Sequence, residues 1–435
     1  MSVKHFIKKI LKKQVTIGVL GLGYVGLPLV IEFLKKKFVV IGFDNDINKI
    51  NKLKKNQSYI NYISLDSLSK KQIENFIPTD DFSNIENVDI IIICLPTPLN
   101  KRNNPDMTYI NNGLRQIKNY LKEGQLLILE STTYPGTTKD LIYPLLAKKK
   151  FNIGKNFFVS YSPERQDPGN SNFGLKETPK LVSGATSNCL KISHKLYSMI
   201  VDTVVEVSSL EVAELTKLYE NIFRSVNIGL ANEMKIICEH LKINLYDVID
   251  AASSKPFGFL PFYPGPGLGG HCIPIDPYYL KWIAKKNNVD AKFIELSAKI
   301  NNSMPFYVVE KIKSALNNFN KKIRKSKILI IGVAYKKNVD DTRESPSLKI
   351  IQILKENIAN VDYYDPYVPL LKQSRNYKLG LKSRKINKHM LAEYDCVVLL
   401  TDHDILNYKL IKKYSKIIID TRGKFKGNQI NIFNA

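Results

Sequence analysis

Gly265-Pro-Gly267-Leu-Gly269-Gly270-His271-Cys272-Ile-Pro274-Ile-Asp276-Pro277 is the stretch of the chain richest in chemical possibilities. Its glycines and prolines fix an irregular loop with exposed backbone amides, suited to holding a ligand closely. A cysteine at the end of such a loop, with Asp276 four residues on, can be presented as a nucleophile. A nearby cation or helix N-terminus would favour its thiolate. The same residues also read as a structural cysteine in a loop packed by Pro274, and composition alone does not choose between the two. A second pair bears on the choice. Lys217 and Asn221 lie at i and i+4 in a helical pattern and so share a face near Leu218 and Ile222. An ammonium and an amide are ill suited to a core, and they suit the stabilisation of an oxyanion. Alone, the pair is equally a solvated polar stripe; beside the cysteine loop it favours the nucleophile. Arg224, on the same helical stretch, is a further candidate.

The other cysteines, Cys94, Cys189, Cys238 and Cys396, are scattered with no CxxC spacing. That pattern fits neither a disulfide framework nor a zinc site, so they read as small buried hydrophobes and no metal is expected.

Gly21-Leu-Gly23-Tyr24-Val25-Gly26 directly follows an apolar β-branched run and opens a helical pattern. The first glycine allows a tight turn, the second lets backbone approach a pyrophosphate, and the third lets helix and strand pack closely. The helix N-terminus then offers free N–H groups and partial positive charge. The following strand ends at Asp44, where a carboxylate accepts hydrogen bonds from ribose hydroxyls and repels a 2′-phosphate. The arrangement predicts NAD rather than NADP; the bland alternative is a glycine turn with a surface aspartate.

These sites need elements to hold them. Strand patterns fall at 14–20, 39–43, 89–95 and 126–129, alternating with helical stretches such as 25–37, and continue at 157–160 and 180–183. Such alternation implies parallel βαβ units and a doubly wound sheet. From Ser209 to Leu241 there is no proline and apolar residues recur at helical spacing, with Ser208 or Ser209 as N-cap. This predicts one long helix, the spine between two domains and a surface on which two copies can pair. After the cysteine loop, strand patterns at 327–333, 361–364, 396–400 and 416–420 and a helix at 346–356 predict a second, smaller α/β sheet. The fold expected is α/β, with two Rossmann-like doubly wound domains joined by a long-helix central domain. The boundaries are 1–206, 207–315 and 316–435.

The 435 residues exceed what one compact domain usually holds, and the 44% hydrophobic fraction supplies several cores. No apolar run is long enough for a membrane span, and Met1 to Lys13 lacks a signal peptide's hydrophobic segment. A cytoplasmic protein that engages no membrane is expected. The net charge of +25 is spread along the chain rather than clustered with interleaved aromatics, which argues against a nucleic-acid face. It still favours anionic ligands such as nucleotide diphosphates.

Taken together, the motifs resemble the nucleotide-sugar 6-dehydrogenases, the family of UDP-glucose and UDP-N-acetylhexosamine dehydrogenases. The resemblance rests on the glycine fingerprint, Pro96-Thr97-Pro98, Glu130-Ser-Thr132-Thr-Tyr-Pro-Gly136, Ser162-Pro163-Glu164-Arg165, the Lys217/Asn221 helix, the Cys272 loop, and Gly332-Val-Ala-Tyr-Lys336 through Thr342-Arg343-Glu-Ser-Pro. It covers essentially the whole chain. It implies a four-electron oxidation of the C6 hydroxyl of a UDP-sugar, reducing two NAD per sugar. Cys272 would attack the C6 aldehyde to form a thiohemiacetal, then a thioester that is hydrolysed. Lys217, Asn221 and a water held by Thr132 would stabilise charge on the C6 oxygen. Glu164 resembles the acid/base residue of hydrolysis, and Asp276 the carboxylate that assists through water or Lys217.

The resemblance further implies that Gly21, Gly23, Tyr24, Val25, Gly26, Asp44, Thr97, Thr132 and Arg343 serve the cofactor. Arg165, Lys217, Asn221, Arg224, Tyr263, Gly265, Gly269 and Lys336 would serve the substrate. The stretches Ser162 to Asn170 and Lys255 to Gly265 look like the subgroup acting on UDP-N-acetyl-D-glucosamine in bacterial surface-polysaccharide synthesis, including lipopolysaccharide. UDP-N-acetylmannosamine and UDP-glucose are the alternatives. A homodimer or higher homo-oligomer is expected.

Overall fold

The structure, a computed structural model, describes residues 2–60, 63–166, 174–270, 273–371, 377, 379–425 and 429–435. Cys272, His271 and the segment from Asp167 to Asn170 lie outside the described residues. Two compact units are present: residues 1–220 with 278–289, and residues 221–277 with 290–435.

The first unit carries β1 (Thr16–Leu20), β2 (Val39–Phe43), β3 (Phe76–Thr79), β4 (Ile90–Ile93), β5 (Leu126–Leu129), β6 (Phe158–Tyr161), β7 (Lys180–Gly184) and β8 (Val204–Glu206). They form one sheet in the order β3-β2-β1-β4-β5-β6-β7-β8. Around it run α1 (Val3–Leu11), α2 (Gly26–Lys35), α3 (Ile47–Lys54), α4 (Lys70–Ile73), α5 (Thr108–Ile117), α6 (Thr137–Lys148) and α7 (Ser187–Tyr197). The central strands β4 and β5 are buried along their whole length. Helices cover both faces of a parallel sheet, which is why these strands read as unbroken Ile and Leu runs rather than as alternation.

Two features depart from the sequence pattern. The Lys-rich start of the chain is a helix, capped by Ser2, that buries Phe6 and Ile10 one turn apart, with the Phe6 ring edge-on to Phe158. And β7 pairs antiparallel with β6, the one antiparallel pairing among the described residues of this sheet. Among the described residues of the 162–179 connection there is no crossover helix, the element a parallel return requires.

The long helix is α8 (Leu210–His240), with the Ser209 hydroxyl accepting the Val212 N–H at 3.2 Å. Its start, Leu210 to Glu220, belongs to the first unit and its remainder to the second. There follow α9 (Leu245–Ser253), α10 (Asp276–Lys286) and α11 (Lys292–Asn318). The second sheet is parallel, in the order β10-β9-β13-β14-β15, from β9 (Lys327–Ile331), β10 (Asn360–Tyr364), β13 (Cys396–Leu399), β14 (Ile418–Asp420) and β15 (Ile432–Asn434). A separate ribbon pairs β11 (Leu370–Leu371) with β12 (Leu381–Lys382). Helices α12 (Pro346–Glu356), α13 (Lys388–Glu393) and α14 (Tyr408–Tyr414) complete the unit. Ser345 caps α12 and Pro346 takes its first position, where a missing N–H costs nothing. Among the described residues no helix is long and apolar enough to cross a membrane.

Candidate active site

The turn after β1 is built as a dinucleotide loop must be. Gly21 has φ +92°, and its N–H bonds the Phe43 carbonyl at the end of β2. Gly26 packs so closely that an added Cβ would lie 2.0 Å from the Gly21 oxygen. Gly23 has nothing within 4 Å of where a Cβ would be, so the backbone is open to an incoming group. Val25 starts α2 without a side-chain cap, and no acidic residue occupies the first turn. The Leu27 N–H bonds the Gly23 carbonyl at 3.1 Å, and the uncapped helix start turns its partial positive charge toward an incoming anion. Asp44 sits at the tip of β2: one carboxylate oxygen accepts the Leu22 N–H at 3.0 Å and Lys49 Nζ at 3.0 Å, the other the Asp46 N–H at 3.0 Å. Tyr24 is largely exposed on the loop. The Tyr59 hydroxyl donates to the Leu22 carbonyl, and the Lys49 ammonium stands 5.9 Å from its ring. An open Gly23, an uncapped helix start and a carboxylate at the second strand's end fit NAD. Thr97 is buried, its carbonyl accepting the Tyr279 hydroxyl at 2.9 Å. Thr132 is half-buried, and the Thr133 hydroxyl beside it is buried without a partner.

Across the C-terminal ends of β5 and β6 and the N-terminal end of the antiparallel β7 lies a buried charge cluster. Glu164 accepts the Arg165 and Gln166 N–H groups on one oxygen, at 2.7 and 2.6 Å, and Lys180 Nζ on the other at 3.2 Å. Lys180 also donates to Glu130 at 3.1 Å, and Glu130 accepts the Tyr197 hydroxyl. Burial opposes ionisation of Glu164, but Lys180, the Gln166 N–H and Lys217 outweigh it and hold its carboxyl below the usual range. Glu130 goes the other way: burial pushes it up more than Lys180 pulls it down. Burial also works against the Lys180 charge, yet the two carboxylates raise it well above its usual value. The cluster therefore holds a carboxylate at Glu164, the form a general base needs.

Arg165 turns away from this cluster. Its guanidinium is gripped by Glu220 of α8, with Nε 3.2 Å from one carboxylate oxygen, and donates to the Pro179 carbonyl at 2.9 Å. Lys217, one turn before Asn221 in α8, is buried.

In the second unit, Asn221 donates to Asp276 at 2.5 Å with both side chains buried. The hydrogen bond fastens the end of the cysteine loop to α8. The beginning of that loop is fixed as well. Gly265 N–H donates to buried Asn232 at 2.9 Å, and Gly270 N–H to the Arg343 carbonyl at 3.0 Å. Gly269 admits no side chain, since a Cβ would lie 2.6 Å from that of Tyr335. Tyr263 is half exposed and stacks on Tyr246 at 6.4 Å. Lys336 is half-buried, and Arg343 is held by a bidentate pair with Asp341, Nε on Oδ1 at 3.0 Å and Nη2 on Oδ2 at 2.6 Å. Arg224 is exposed.

Several residues of these networks carry no signal in the sequence. Lys180 heads an apolar strand, and Glu220 and Asn232 are two among many polar positions in α8. A charge placed where the strand pattern calls for burial is the one hint at Lys180. The cysteines other than Cys272 are all buried and unpaired.

Family models match three successive segments. Residues 15–201 match the NAD binding domain of the UDP-glucose/GDP-mannose dehydrogenase family, 211–303 its central domain, and 329–427 its UDP binding domain. A UDP-N-acetyl-D-mannosamine dehydrogenase of Methanococcus maripaludis is 35% identical, covering 95% of this chain and 93% of the relative. A UDP-N-acetyl-D-glucosamine 6-dehydrogenase of Pseudomonas aeruginosa is 33% identical, covering 90% and 91%. The solved UDP-D-ManNAc dehydrogenase of Pyrococcus horikoshii superposes with a TM-score of 0.84 at 32% identity, over 96% of this chain and 98% of that one.

Proposed function

The chain belongs to the UDP-glucose/GDP-mannose dehydrogenase family, whose NAD-binding and UDP-binding domains it carries, and we propose that it oxidises the C6 hydroxyl of UDP-N-acetyl-D-glucosamine to the carboxylate through a thioester on Cys272. The observation that supports this reading is the buried Asn221–Asp276 hydrogen bond, which brings together within the second unit two of the residues the motifs single out.

NAD, when bound, accepts the hydride in each of the two oxidations. Gly21, Gly23 and Gly26 admit its pyrophosphate to the start of α2, and Asp44 receives the ribose hydroxyls. Lys217 and Asn221 donate to the C6 oxygen, which bears negative charge as the alcohol loses its proton. The Cys272 sulfur forms a bond to the aldehyde carbon, giving a thiohemiacetal that cannot diffuse away. Loss of its hydride and hydroxyl proton leaves a thioester. Glu164, held as the anion, takes a proton from water as the water oxygen bonds the acyl carbon and the carbon–sulfur bond breaks. Products are the carboxylate and free Cys272, with one water consumed per sugar. The exposed apolar residues of α8, among them Leu230 and Ile237, support association of two copies.

UDP-N-acetyl-D-mannosamine is the second reading, favoured by the relative from Methanococcus maripaludis. Epimers at C2 differ in few contacts, so discrimination amounts to a few kcal/mol. Offering UDP-N-acetylglucosamine, UDP-N-acetylmannosamine and UDP-glucose separately with NAD, and following absorbance, tests both. About two NADH appear per sugar consumed, and Cys272→Ala forms no acid. One NADH per sugar, or acid from the alanine variant, refutes the thioester route.

A further inference from the structure

Lys180 is the only residue among those described that joins Glu164 to the interior of the first unit through a charged side chain. It projects from the first position of β7, 4% exposed, between a carboxylate that is fully enclosed and one that reaches the surface of the cluster. Glu130, 1% exposed, directly follows β5 and is fastened to Tyr197 of α7, itself fully buried. The Lys180 ammonium lies 5.3 Å from the Tyr197 ring, so the lysine is held by an ion pair on one side and an aromatic face on the other. A lysine with three donors and a flexible stem is ordinarily a poor positioner. Here its stem is buried and its partner Glu130 is pinned, and a second of its donors is directed at Glu164.

We propose that Lys180 is the positioning residue of thioester hydrolysis: locked by Glu130 and Tyr197, it fixes the Glu164 carboxylate in one orientation and keeps it an anion. The inference rests on the Glu164 role proposed above. The groups facing Glu164 are Lys180 from β7, Lys217 from α8, Glu130 beyond β5 and Cys94 beyond β4. Cys94 is a neutral bystander, its thiol pushed up by burial and by Glu130. Removing Lys180 therefore strips Glu164 of its nearest cation, whereas removing the Glu130 charge strips the cluster of an anion. The two changes act on Glu164 with opposite sign.

The test compares Lys180→Met and Glu130→Gln with the unmodified enzyme in the dependence of kcat on pH, together with the pre-steady-state release of NADH. In Lys180→Met the acidic limb of kcat moves up by at least about one pH unit, a roughly tenfold loss of rate on that limb. NADH from both oxidations appears in a burst before slow turnover, because hydrolysis alone is impaired. In Glu130→Gln the limb stays or moves down. Damage to packing does not reverse sign between the two variants. A limb unmoved in Lys180→Met, or raised in both, overturns the inference. Should Lys180→Met fail to fold, Lys180→Gln is held to the same upward shift. Glu164→Gln separates the two levels: if it hydrolyses the thioester at the unmodified rate, the Glu164 role itself falls. If it stalls after the burst while Lys180→Met keeps the normal pH profile, only Lys180 falls.

Discussion

Replacing either Gly23 or Gly26 by alanine adds one methyl group to the same turn, yet the structure sets opposite consequences for the two. At Gly26 the new Cβ would stand 2.0 Å from the Gly21 carbonyl oxygen, more than 1 Å inside the roughly 3.3 Å of a close C···O contact. Neither atom belongs to a side chain that can rotate away, so β1, the turn and α2 must separate. Overpacking costs about 1–3 kcal/mol, and a backbone clash this deep belongs at the upper end. About 3 kcal/mol in a unit of this size lowers Tm by roughly 6–12 °C. At Gly23 the methyl meets nothing, and the residue is absent from the positive-φ glycines, so the fold pays nothing. What the methyl does occupy is the approach to the backbone amides at the start of α2. Holding a phosphate off those amides forfeits charge-assisted hydrogen bonds of about 1.5–3 kcal/mol, a roughly ten- to hundredfold rise in the Kd for NAD. Calorimetric titration with NAD and thermal melting of both variants separate the outcomes. Gly23→Ala keeps the melting temperature and loses affinity; Gly26→Ala melts early. A Gly23→Ala protein that binds NAD as tightly as before would refute the assignment of this turn to the cofactor.

Two further changes probe buried carboxylates. Glu214, on α8, accepts the Gly136 N–H at 2.6 Å and the Thr138 N–H at 2.9 Å at the start of α6, and burial outweighs these donors to push its pKa up to about 7. A raised carboxylate pKa means the folded state binds the extra proton, so this stabilisation is full below about pH 4.5 and is lost as pH rises through 7, on the order of 3 kcal/mol. Glu214→Gln should flatten the fall in Tm between pH 5 and 8; a slope identical to the unmodified protein's would count against it. Asp365 accepts N–H groups from Val333, Ala334, Tyr367 and Val368 and pairs with His403. Asp365→Asn turns an amide NH2 onto these donors in either orientation. Urea unfolding should show a loss of roughly 3 kcal/mol or more, and a loss below about 1 kcal/mol would refute that account.

What was legible in the sequence is what local physics writes into it. Strands buried on both faces leave apolar runs, so β2, β5 and α12 fall where the pattern put them, and a proline-free 3.6-residue period marked α8 to within a residue or two. The two glycine turns were legible for the same reason, being short and contiguous. The networks that give the residues their states were not, because their partners are far apart in sequence: Lys180 lies fifty positions from Glu130, and Arg165 fifty-five from Glu220. No periodicity carries such pairings, and the direction of β7, antiparallel to β6, is likewise a matter of how distant segments pair rather than of the strand's own residues.

The most instructive case is a likeness that the sequence invites and the structure qualifies. Gly332 after β9 repeats Gly21 after β1, with φ +83° and its N–H on the Tyr364 carbonyl at the end of β10, just as Gly21 bonds Phe43 at the end of β2. Each second strand is followed by an aspartate that accepts N–H groups from the turn, Asp44 in one unit and Asp365 in the other. The carboxylates differ in what remains to them. Asp44 keeps 11% of its side chain exposed and holds two backbone donors and one lysine. Asp365 is fully enclosed, takes four backbone donors and is sealed by His403, whose other ring nitrogen accepts the Asn338 N–H. A ribose can be read only by an oxygen with lone pairs to spare and a path to it. The same turn therefore leaves an aspartate open to a ribose in the first unit and closed into a structural knot in the second, and it is the aspartate's remaining hydrogen-bonding capacity, not the glycine, that makes the difference.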